Sequence, residues 1–306
     1  MAYDANTAGT ITGLGDELVT ISDTTITAIA LNDLDSATAG AINATSVNIL
    51  TGDATAVKTA LASSGITTVT NNSLAVNVSG STSVADINTI NSDSATGIVT
   101  ATATETAAAT LIGLTTTDTD AITVTMAAAS TAAADLNTID GKTSVAVGAT
   151  AITELTGNAT DVKTALASSG ITTVTNGSLA VNVNSGTASV ADINTINADS
   201  ATGIVTATAT ETAAATLIGL TTTGTVTFNN VTTITEDAAN IGADAVNITD
   251  ALAIVADAAV TITGAISAAN VNIIAGATDG VVTATITDGA VAATLAAITN
   301  VDANDV

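Results

Sequence analysis

Carboxylate pairs are the acid–base candidates this chain offers. Asp86 and Asp93 recur as Asp192 and Asp199, and Glu105 recurs as Glu211. Two such groups facing one another could act as a general acid and base, or bind calcium through hard oxygen ligands. Catalytic sites normally converge once, whereas these carboxylates return with the sequence around them. The expectation is therefore solvated turn residues that supply charge and helix caps, and no enzymatic activity. Asp118/Asp120 and Asp302/Asp305 remain as weak calcium candidates, because clustered oxygen ligands need little beyond loop geometry. The calcium nonapeptide and the EF-hand loop are both absent, and no other cofactor is expected.

The rest of the reactive inventory is thin. The chain has no His, Cys, Pro or Arg, so it lacks the usual near-neutral acid–base group, any thiolate and any disulfide. Its lysines are Lys58, Lys142 and Lys163, and the first and last occupy the same repeat position. On a helix face they read as solvated charge. Alternating threonines form the remaining candidate site. Thr100, Thr102 and Thr104 flank Ala101 and Ala103, and Thr206, Thr208 and Thr210 repeat the pattern. On a strand they project from one face. That face could bind a polysaccharide or ice, and its T-x-T array resembles ice-binding solenoids. The plainer reading is that Thr is a good polar strand former.

Charge narrows the partners. Twenty-eight carboxylates against three lysines give a formal charge of −25. Phosphate-backbone binding needs clustered Lys and Arg, which excludes nucleic acid and disfavours anionic membranes. No segment reads as a membrane span, since the uncharged run 258–278 alternates like strands. The N-terminus shows neither a basic region nor an apolar core, so no cleavable signal peptide is expected.

These candidates are carried by a repeat. The stretch 83–117 returns as 189–223 with one change in 35 positions, Ser92 to Ala198. The flanking stretch 50–79 matches 155–184 at 26 of 30 positions. Apolar pairs three residues apart mark eleven units, from Leu31/Leu34 through Ile87/Ile90 and Leu136/Ile139 to Leu295/Ile298, with a weaker unit opening at Ile241. Units average about 26 residues, within the range of stacked repeats. Leu31, Leu136 and Ile241 are 105 apart, so four units form a higher-order repeat, near 31–135, 136–240 and a degenerate 241–306.

Within a unit, GIVTATAT (97–104) alternates like a strand, TAAATLIGL (106–114) reads as a short helix or helical turn, and DATAVKTALASSG (53–65) reads as a longer version with Asp or Thr at its start and Gly65 as a stop. Tyr3 and Phe228 are the only aromatics, so small aliphatic residues must fill the core. The expectation is a β protein with short helical turns: a parallel β-solenoid of about 26 residues per rung, continuous over 1–306. Strand alternation turns Val99, Ala101 and Ala103 inward and the threonines outward. Stacked edges favour end-to-end association with like repeats, promoted by salt or calcium.

The phrases TGLGDELVTISDT, AADLNTIDG, VADINTIN and LTGNATDVKTALASSGIT resemble repeats of very large secreted surface proteins of marine bacteria, cyanobacteria especially. That resemblance implies an extracellular location and a structural role as spacer, adhesin stalk or self-assembling fibre, with surface glycans as possible partners. It brings no catalytic residues with it.

Overall fold

Side chains that cap helices organise each repeat. Thr27, Asp53, Ser83, Asn158, Ser189 and Ser267 each accept the backbone N–H three residues on, satisfying a donor that a helix start leaves open. Alanine-rich sequence then propagates the helix. The computed structural model describes residues 15–68, 74–94, 97–172, 179–184, 186–200, 203–207, 211, 213–221, 226–228, 233–241, 245–255 and 258–287.

These helices overturn the β-solenoid expectation. The protein is mixed α/β, with 35% helix and 29% strand among the described residues and several separate parallel sheets. True helices of eight to ten residues occur at Ala28–Ala37, Val84–Asp93 and Ala133–Asp140 as well as at Ala54–Ala62, inside the longer helical segment read at 53–65. The physical reason is capping plus alanine content, which outweighs the strand preference of interspersed Thr. Mid-helix threonines are accommodated by bonding back: Thr59, Thr89 and Thr138 each donate to the carbonyl four residues earlier. Short turns of the expected kind occur at Ala108–Leu111 and Ala214–Leu217.

The chain divides into two compact units, Met1–Ile152 with Ser168–Val174, and Thr153–Ala167 with Thr175–Val306. In the first, strands Thr25–Thr27, Ile49–Gly52, Ala75–Thr82, Val99–Ala103 and Ala121–Thr123 pair in that order, all parallel. Val19–Thr20, Ile42–Asn43 and Ile66–Thr67 form a smaller parallel sheet. One face of the larger sheet buries Leu50, Val76, Val99, Ala101 and Ile122. Leu31, Val57, Ala60, Ile87 and Ile90 are buried from the helices that follow the strands. Each such aliphatic side chain removed from water is worth roughly 1.5–3 kcal/mol. Val99 and Ala101 are thus buried, while Thr100, Thr102 and Thr104 are exposed.

In the second unit, Glu154–Gly157, Ala180–Val183, Val205–Ala207 and Val226–Phe228 pair in parallel. So do Thr233–Asp237, Ala259–Ile266 and Val282–Ile286. The third copy departs from the spacing read from the sequence. Ile241 follows a three-residue 3-10 turn, Ala238–Asn240, and the helix comes later, at Val246–Ile254, with Ile248 and Ala251 inward. Leu295 and Ile298 lie outside the described residues.

One glycine position shows how closely successive repeats approach. A Cβ on Gly97 would run into the Leu74 carbonyl oxygen, and one on the equivalent Gly203 into that of Leu179.

Candidate functional site

The outward face of the larger sheet carries the threonines. Register places Thr27, Thr51, Asn77, Thr100 and Ala121 in one row across five strands. Neighbours in such a row are about 4.8 Å apart. Thr102 is flanked by Ser81 and Thr123 in the next row. Asn77 and Ala121 therefore interrupt the hydroxyls. In the second unit Thr156, Asn182 and Thr206 align in the same way, with Thr206 half-buried. Thr208 and Thr210 lie outside the described residues.

The recurring carboxylates do not converge on one another. Asp86 and Asp93 sit seven residues apart on one helix, roughly 10 Å along its axis. Asp86 instead pairs with Lys58 from the preceding helix, and Asp192 pairs with Lys163 in the same way. Lys58 and Lys163 are thus partly buried ion-pair partners, not the freely solvated charges expected from the sequence. Hydrogen bonding from Lys58 holds the Asp86 carboxyl below its ordinary value, and Lys163 does the same to Asp192. Glu105 accepts the Val84 N–H at 3.0 Å, and Glu211 accepts the Val190 N–H at 3.1 Å. These are first-turn donors of the preceding repeat's helix, left open by the helix itself.

Asp118 and Asp120 have different surroundings. Asp118 is exposed, whereas Asp120 is 4% exposed and turned inward. One Asp120 oxygen accepts the Val99 N–H at 2.9 Å, and the other accepts the Thr117 N–H at 2.9 Å. The group is committed to the backbone. Among the described residues, no three Asp or Glu cluster as a metal site. Asp302 and Asp305 lie outside the described residues.

Several residues that join repeats escaped the sequence reading. Asn88 donates to the Gly113 carbonyl at 2.8 Å and accepts the Thr115 N–H at 2.8 Å. Asn194 bridges Gly219 and Thr221 in the same way, at 2.9 Å each. Asp35 accepts the Ser63 hydroxyl at 2.7 Å, and Asp140 accepts that of Ser168 at 2.8 Å. Buried Thr143 bonds both the N–H and the carbonyl of Ile122. Partners lie 21 to 28 residues apart, close to one repeat. The detectable signal was the recurrence of Asn and Asp at fixed helix positions, which the search for chemistry set aside.

A cleft of about 560 Å³ opens in the first unit where strands Thr25–Thr27, Ile49–Gly52 and Ala75–Thr82 meet their helices, lined in part by Thr51, Asp53 and Asn77. Among the described residues, no helix is long and apolar enough to cross a membrane. No family model matches the chain, and no curated protein and no solved structure matches it.

Proposed function

We propose that this chain is a structural repeat protein of the extracellular surface, serving as a spacer, adhesin stalk or self-associating fibre element. The observation that carries the reading is the use made of its recurring polar residues. Asp86, Glu105, Asp120 and Asn88, with Asp192, Glu211 and Asn194, bond a neighbouring repeat. They act as inter-repeat clasps. Like repeats, in the same or another copy, are the natural partners. The resemblance of its repeat phrases to secreted surface proteins supports the location. The charge of −25 supports solubility of an apolar-rich chain.

The test has two arms. Antibody labelling of intact source cells should stain their surface, and light scattering should show association rising with salt or calcium. Label found only after permeabilisation, with a strictly monomeric chain in every condition, would overturn the proposal.

A second reading is favoured by the exposed row Thr27, Thr51, Asn77 and Thr100: a module that recognises polysaccharide on its strand face. The breaks at Asn77 and Ala121 make the row a poor match to a regular ice lattice. Thr100→Val with Thr102→Val should abolish polysaccharide retention if this reading holds, and leave the chain's behaviour unchanged if the spacer reading suffices.

A further inference from the structure

The cleft of about 560 Å³ falls in the range of about 300–1,000 Å³ typical of small-ligand sites. It lies at the carboxyl ends of parallel strands, where ligands of open α/β sheets usually sit. Ile29 stands on its wall with 54% of its surface exposed, an apolar surface beside the polar groups. Thr51, Asn77 and Ser79 line it with side chains that make no hydrogen bond to other described residues. Asp53, an exposed residue, spends one oxygen on the Ala56 N–H and bonds no other described residue with the second. A strand irregularity delivers Ser79. Between the pairs Asn77–Thr100 and Ser81–Thr102 the strand holds two extra residues, with Gly80 at φ 75°. Such a bulge re-aims a side chain, and the positive φ favours glycine.

One difference between the sequence copies falls in the same place. Stretches 50–79 and 155–184 differ at four of 30 positions, and one of those, Asp53 against Asn158, lines the cleft, while Ser79-Gly80 recurs as Ser185-Gly186 after an inserted Asn184. Ile29 has Ala134 as its counterpart 105 residues on.

From this we infer that the cleft binds one ring of a neutral saccharide. A carboxylate, an amide and two hydroxyls suit the ring's hydroxyl groups, and Ile29 suits its C–H face. The charge of −25 opposes anionic sugars. Without an aromatic platform the affinity falls in the millimolar range. This inference does not depend on the spacer reading, because binding is measured on the purified chain wherever the protein acts.

Saturation-transfer NMR on the full chain tests it, with methyl glycosides of glucose, galactose, mannose and N-acetylglucosamine, and with the matching disaccharides. At least one sugar should show saturable transfer. The Asp53→Asn variant installs the second copy's residue, and Asn158 already caps a helix there, so folding is not at risk. It should bind about tenfold more weakly, as should Ile29→Ala, with unchanged thermal melting. Stronger transfer from disaccharides than from monosaccharides identifies a polymer end as the ligand; equal transfer identifies a free sugar. No transfer from any sugar, or transfer unchanged in both variants, would overturn the inference.

Discussion

Asp120→Ala separates the structural account from a calcium site. The wild-type carboxylate is 4% exposed and accepts two backbone amides, from Val99 and Thr117. Hydrogen bonds to a charged group contribute about 1.5–3 kcal/mol each, and truncation strands their donors. The substitution should therefore cost about 3–5 kcal/mol, a large share of the roughly 5–15 kcal/mol by which native domains are stable. Asp118→Ala, at an exposed neighbour, should stay within about 0.5 kcal/mol of wild type. Urea unfolding followed by circular dichroism measures both. Calcium supplies the contrast: a weak site with Kd of about 1 mM, in about 10 mM calcium, would stabilise the fold by about 1.4 kcal/mol. The structural account expects no such gain. The reasoning fails if Asp120→Ala unfolds like wild type, or if calcium stabilises wild type but not the variant.

Other perturbations follow from the same geometry. The Asp86 and Asp192 carboxyls sit below the ordinary 3.8, so their contribution is complete above that value and is lost as pH falls through the lowered folded values. Lys58→Met should remove Asp86's share of that acid limb, and double-mutant cycles on this partly exposed pair should give about 0.2–1 kcal/mol, falling in high salt. Thr82 is 3% exposed and its hydroxyl has no partner among the described residues. The second copy has Ala188 at that position. Thr82→Val should therefore raise stability by about 1 kcal/mol in thermal melts. Gly97→Ala should cost about 3 kcal/mol, since the new methyl meets the Leu74 backbone and not a side chain that can turn aside. A neutral result in urea unfolding would mean the strand starts are looser than described.

Parts of this were legible in the sequence and parts were not, for local reasons. Strict alternation at 97–104 gave the strand and its face, because period-two burial needs no tertiary information. The buried pairs Ile87/Ile90 and Leu136/Ile139 followed from spacing alone. The longer helix at 53–65 and its Asp53 start were read from the sequence, whereas a helix such as Val84–Asp93 was not, because Thr and Asn dilute the helical signal and its Ser83 cap acts through a single hydrogen bond. The third copy misled because its 3-10 turn shifts the helix past Ile241. The clasps were invisible for a different reason. Asn88 meets Gly113, and Glu105 meets Val84, only once repeats are stacked in register. The cleft was hidden because it depends on a bulge at Gly80 that no short-range pattern announces.

Native-state hydrogen exchange at the clasped amides tests the central claim most directly. The donors are Val84 and Val190, held by Glu105 and Glu211, and Thr115 and Thr221, held by Asn88 and Asn194. First-turn and loop amides ordinarily exchange fast because nothing in their own element holds them. Here all four should be protected, and Glu105→Ala should speed Val84 by about tenfold, the equivalent of one hydrogen bond of about 1.4 kcal/mol, while leaving Val190 unchanged. Exchange of these amides at free-peptide rates in the wild-type chain, or no change at Val84 in the variant, would contradict the account of side chains clasping one repeat to the next.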